Sequence, residues 1–258
     1  MSPEGETPAH PIDHFVRYQD MMHRRQQRVL RAAMGGIEGA DELREKALEH
    51  VRVTPGKRRN EEEMQERLYL LGFLGGEEEF DALVELVMPD DEDDIPFLAL
   101  HEHPLLRDEE TRAQYLMALG SLGQHVGNRD NARLETLAFL LRRGLGDEMP
   151  DVRIAAAGAI SRSMKYSKQG MTHYAPLVRS LVRLLGEPGW SVKRAALSAL
   201  ADLPTPECQL ALTRFAAQQE DEHLKHFAEW ALNRVAERSG VFRSLVRSLE
   251  SMRKPTPR

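Results

Sequence analysis

One cysteine, Cys208, stands among 258 residues. That excludes a disulfide within the chain, leaves no cysteine cluster for a metal, and favours a reducing compartment. Cys208 lies in Pro206-Glu207-Cys208-Gln209-Leu210, at an expected helix start, where no nucleophile is expected. Aromatic residues are scarce, at 6%, so the core must be built from Leu, Ala, Val and Met. No apolar run approaches the roughly 20 residues a membrane span needs. Residues Met1–Pro11 are polar and lack the basic-then-apolar pattern of a leader, so a cytoplasmic location is expected. There is no Gly-rich phosphate loop and no defensible Ser/His/Asp order. No catalytic residue, cofactor or metal site is therefore assigned, and a non-catalytic role is favoured.

What the chain has is charge, unevenly placed. The net charge of −6 divides into +2 over residues 1–59, −16 over 60–111 and +8 over 112–258. Opposed patches of this kind orient a partner protein, organise self-association, or set a basic surface apart from an acidic one.

It also repeats itself. Leu137, Leu141, Leu145, Gly146, Val152, Arg153, Ala155, Ala156, Ala159 and Ile160 recur 40 residues later as Leu177, Leu181, Leu185, Gly186, Val192, Lys193, Ala195, Ala196, Ala199 and Leu200. Two amphipathic helical stretches per unit at this period specify stacked helical hairpins. Helices are expected at 131–145, 151–165, 174–186 and 190–202. Asp108–Leu122 aligns at an offset of 41, with Arg112, Ala118 and Leu119 answering Arg153, Ala159 and Ile160. Leu71-Gly72-Phe73-Leu74-Gly75 answers Leu119-Gly120-Ser121-Leu122-Gly123 at 48, so an acidic insertion, 88–107, is expected between those two units. The last unit, 206–219 and 221–238, aligns at 32. The expected organisation is a tail over 1–11, a helical cap over 12–59, a solenoid over 60–240, and a capping helix with a basic tail over 241–258. In the cap, Ile12–Met34 keeps Phe15, Met22, Val29 and Ala33 at helical spacing, opposite Arg17, Arg24, Arg25, Arg28 and Arg31.

The turns Gly146-Asp147-Glu148-Met149-Pro150-Asp151-Val152-Arg153 and Gly186-Glu187-Pro188-Gly189-Trp190-Ser191-Val192-Lys193, each followed by Ala-Ala and then Ala-Ile or Ala-Leu, resemble the HEAT-repeat family, an armadillo-like class of helical repeats. The resemblance is good over 131–202, fair over 108–130 and 206–238, and weak before residue 60. It implies an all-α, right-handed α-α superhelix of about five hairpins with capping helices. It also implies a structural ladder between acidic turn residues and basic ones: Asp147 or Asp151 with Arg153, and Glu187 with Lys193.

Three functions are weighed. The favoured one is a scaffold that grips a partner protein in the concave surface lined by the Ala-rich second helices. Its groove candidates are Arg162, Lys165, Arg194, Ser198, His226, Glu229 and Asn233. The second is a nucleic-acid binder whose basic stripe (Arg112, Arg153, Lys193, Arg194 and Lys225, joined by Arg142, Arg143, Arg162, Lys165, Lys168, Arg179, Arg183 and Arg234) tracks a phosphate backbone, distantly like the HEAT-like DNA glycosylases. The third is an accessory lyase-type subunit. His101-Glu102-His103 with Asp90–Asp94, and His223 with His226, have metal-like spacing but are read as solvated surface.

Overall fold

The computed structural model describes residues 40–52, 61–88, 99–126, 130–164 and 171–253. Among them are ten α-helices and no strand: α1 (Ala40–Arg52), α2 (Glu61–Leu74), α3 (Glu77–Glu85), α4 (Glu109–Val126), α5 (Asn131–Gly144), α6 (Pro150–Met164), α7 (Met171–Leu184), α8 (Trp190–Ala201), α9 (Pro206–Gln218) and α10 (Glu222–Arg253). The expected segment Ile12–Met34, the loop 54–59, the acidic run Asp90–Asp94 and Lys165 fall outside the described residues.

Short polar caps start these helices. The Asp130 carboxylate accepts from the Ala132 amide at 2.9 Å to open α5, and Asp221 accepts from His223 at 2.9 Å to open α10. Thr205 caps α9, with Pro206 in the first turn. Each satisfies backbone donors that the helix leaves without internal partners.

The helices form two layers. In the second layer α2, α4, α6, α8 and α10 pack side by side in chain order; in the first, α5 packs on α7 and α7 on α9. Each first-layer helix pairs with the second-layer helix that follows it, which gives five hairpins: α1/α2, α3/α4, α5/α6, α7/α8 and α9/α10. The chain is an all-α solenoid. One contiguous core runs through it. The repeated positions Leu137, Leu141, Val152, Ala156, Ala159 and Ile160 are buried, as are Leu177, Leu181, Val192, Ala196, Ala199 and Leu200. No single hairpin can cover both of its faces, so stability is shared with neighbours.

Small residues set the spacing of the second layer. A Cβ on Gly72 would lie 2.8 Å from the Ala118 Cα, and one on Gly120 would lie 2.5 Å from the Ala159 Cα. The repeat offsets carry this pair on as Ser161 with Ala199 and Ala201 with Ala231, all small. Backbones that approach this closely demand side chains no larger.

Two expectations are corrected. The insertion lies inside a unit rather than between two. Tyr115 of α4 is fully buried and its hydroxyl donates to the Leu83 carbonyl of α3 at 2.7 Å, which fixes α3 as the first helix of the α4 unit. The insertion re-enters the core through two 3-10 turns, Leu100–Glu102 and Pro104–Leu106, with Leu100 and Leu106 buried. At the C-terminus, the expected separate capping helix is continuous with the last repeat helix. Ser239-Gly240 does not break α10, because a single glycine costs a helix only about 1 kcal/mol.

Candidate binding face of the second helices

The acids and bases named for the ladder are held between units rather than within them. Arg112 and Asp147 each keep 2% of their side-chain surface. Arg112 Nε donates to Asp147 Oδ2 at 3.1 Å and Nη2 to Oδ1 at 3.3 Å. Its Nη1 donates to the carbonyls of Leu106 (2.9 Å) and Arg107 (2.6 Å), just before its own helix. Arg153 repeats the arrangement one unit on. Its Nη1 donates to the carbonyls of Asp147 and Glu148, both at 2.7 Å, and its Nη2 to Glu187 Oε2 at 2.9 Å. Each arginine therefore binds the turn that precedes its own helix and the acid of the following unit. The partner of Arg153 is Glu187, not the carboxylate of Asp147, and Asp151 is exposed. The reason is geometric. A helix start faces the turn of the next stacked helix, and only a guanidinium fork has donors enough for both sides. Lys193 and Lys225 hold the same position in later units, and Lys225 pairs with Glu222 of its own helix at 3.4 Å.

Three residues of the basic stripe are thereby engaged with protein groups. Arg112 and Arg153 spend their donors on protein atoms. Arg194 lies with its Cζ 5.3 Å from the Trp190 ring centroid and 5.4 Å from that of Phe227, and burial lowers its pKa.

The acids of α3 are engaged likewise. Arg133 of α5 binds Asp81 (2.6 Å) and Glu77 (3.1 Å), and Arg44 of α1 binds the buried Glu79 at 3.2 Å. Part of the acidic stretch thus ties the first layer together.

The face of the second layer turned away from the first is what remains. The repeat offsets align Tyr69, Met117, Gly158, Ser198 and Trp230, and beside them Phe73, Ser121, Arg162, Asp202 and Arg234. At one end, Tyr69, Gly72 and Phe73 of α2 meet Gln114, Met117, Ala118 and Ser121 of α4 and Arg162 of α6 around a shallow pocket of about 80 Å³. Arg162 Nη1 donates to Ser121 Oγ at 3.2 Å across the α4/α6 boundary. Phe73 is 51% exposed and Trp230 42%. At the other end, Phe227 and Trp230 lie 4.9 Å apart, Arg234 sits 5.6 Å over Trp230, and Arg234 and Arg238 both donate to Asp202 at 2.9 Å.

Of the groove candidates, Arg162, Arg194 and Ser198 are half-buried on this face. His226, Glu229 and Asn233 are exposed on α10. His226 Nδ1 lies 2.7 Å from the Glu222 carbonyl oxygen, which keeps that nitrogen on its own helix. The aromatic members, Tyr69, Phe73, Trp190, Phe227 and Trp230, are absent from the sequence-derived set. The signal for two of them was present. Applying the offsets of 48, 41 and 32 to a single column leads to Tyr69, Met117 and Trp230.

The cysteine and histidines fit a structural reading. Cys208 is fully buried, and burial pushes its thiol up to about 11. His103 Nδ1 accepts from the Leu105 amide at 3.3 Å, and burial lowers its pKa. Among the described residues no three His, Cys, Asp or Glu side chains are grouped to hold a metal, and no helix is long and apolar enough to cross a membrane.

No protein-family model matches this chain, and no curated protein matches it. Among solved structures it is similar to a designed armadillo repeat protein in complex with the peptide (KR)4, at 18% identity over 84% of this chain and 94% of that one, with a TM-score of 0.49.

Proposed function

We propose that the protein is a non-catalytic scaffold of the HEAT kind that binds a partner protein along the face of its second helices. One observation carries this reading. Each unit places one residue of the aligned column on this face, and the column ends in aromatics: the half-buried Tyr69 beside the exposed Phe73 on α2, and the exposed Trp230 on α10. Glycine and serine at its middle, Gly158 and Ser198, leave a trough between them, and a Cβ on Gly158 would meet nothing nearer than the Met117 sulfur at 3.6 Å. Solvent-exposed aromatics at the ends of a shallow channel, next to anchored arginines, are the residue types that dominate binding energy at protein interfaces. The basic residues nearest the trough already hold protein partners, which weighs against phosphate tracking.

The test is competitive capture. Immobilised wild-type chain, a Tyr69→Ala/Trp230→Ala variant and a first-layer control, Leu210→Ser, are exposed to the same native extract. A specific partner should be retained by wild type and control and lost by the double variant, each anchor costing about 2 kcal/mol or more, with the melting temperature of the double variant within a few degrees of wild type. Undiminished capture by the double variant would overturn the proposal.

A further inference from the structure

The two ends of the second layer differ, and the α2 end carries an apolar edge. Around α2, Gln65 and Gly72 face α4 through the Gln65–Asp108 hydrogen bond and the close approach to Ala118. Tyr69 and Phe73 face the trough. Met64, Leu68 and Leu71 enter the core. The 100° step per residue then leaves Glu63, Arg67, Leu70 and Leu74 on the edge opposite α4. Among the described helices α2 packs on α1 and α4. Leu70, at the rim of the core cluster, keeps 8% of its surface, Leu74 packs against the same cluster, and Arg67 Nε is buried without a partner.

We propose that this edge is covered by the chain's own segment Ile12–Met34, docked as a sixth second-layer helix. Three observations point to this occupant. The first is topology. Every first-layer helix from α3 onward follows a second-layer helix after two to six residues: two before α3, four before α5, six before α7 and four before α9. Gly35–Gly39, five residues, precedes α1 in the same way. The second is pattern. Phe15, Met22, Val29 and Ala33 make one apolar stripe at helical spacing, matching the apolar edge of Leu70 and Leu74. The third is charge. Ile12–Met34 carries five arginines against two aspartates, whereas α2 carries four glutamates against one arginine. The proposal does not depend on the partner reading, since the trough residues point elsewhere on α2.

Hydrogen exchange read by mass spectrometry on the full chain tests it, at two protein concentrations, with a Met22→Asp/Val29→Asp variant alongside. In wild type, amides of 12–34 should exchange at least about tenfold more slowly than those of the polar tail 1–11. In the variant, both 12–34 and α2 should lose protection while α6 and α8 keep theirs; that last reading shows that the solenoid is still folded. Exchange of 12–34 as fast as the tail in wild type overturns the proposal without recourse to the variant. So does α2 protection that the variant leaves untouched, or that rises with protein concentration, which would make a second copy the occupant.

Discussion

Arg112 is a charge enclosed by protein, and its surroundings leave no group idle. Two carbonyls and a bidentate carboxylate use its donors, and Asp147 further accepts from the Met149 amide at 2.9 Å. Breaking such a pair leaves an uncompensated buried charge. Arg112→Ala is expected to destabilise the fold by about 3–5 kcal/mol. Arg153→Ala, at a more exposed rung, should cost about 1–3 kcal/mol. Urea titration of both variants checks the order, and an Arg112→Ala midpoint equal to wild type would remove the ladder. Cys208 supplies a second residue-scale expectation. Its thiol is held up to about 11 by burial, against an ordinary 9.0. The native state therefore favours the protonated thiol. Its contribution is complete below pH 9 and is lost as pH rises from there through the native value. Thiol reagents at pH 8 should label the chain only on unfolding, and Cys208→Ala should lack the extra destabilisation between pH 9 and 11.

Elements pack by the size of what lies between them. Gly120 sits against the Ala159 backbone, with a would-be Cβ 2.8 Å from the Ala159 carbonyl oxygen. Gly120→Ala must push α4 from α6 and is expected to cost about 1–3 kcal/mol. Gly158 is also mid-helix but opens on the trough. Gly158→Ala should be neutral or stabilise by about 0.5–1 kcal/mol, because alanine loses less backbone freedom. Thermal unfolding of the two variants separates them, and equal shifts would mean that α4 and α6 are not in this register. The element scale also shows where pattern reading stops. The insertion is expected between units and lies within one, because the spacing of 48 gives the length of an insertion but not its side. A capping helix is expected apart from 221–238, whereas α10 runs through Gly240 as one helix, with helix-forming residues on both flanks.

At the scale of the molecule, the five hairpins make one core and one long face. Association with a partner along that face should survive moderate salt, since its anchors are aromatic. Binding to nucleic acid, if it occurred, would fall steeply between two salt concentrations. A mobility-shift assay at low and physiological salt is expected to show no retained complex at either. The charge asymmetry of the sequence finds part of its use here as clamps: Arg44 and Arg133 gather the α3 acids, and Arg234 with Arg238 gathers Asp202.

The 40-residue period, the Ala-rich second helices and the acidic turns by themselves determined a helical-hairpin stack, because heptad-like spacing and small side chains leave a helix no other way to bury its faces. Which acid meets which arginine was decided only in the folded stack, because those partners lie 34 or 35 residues apart and the stacking register, not local spacing, brings them together. The same register, acting across units up to 48 residues apart, aligned Tyr69, Met117 and Trp230 into one column and turned Arg112 and Arg153 of the predicted basic stripe onto the acids of the next unit.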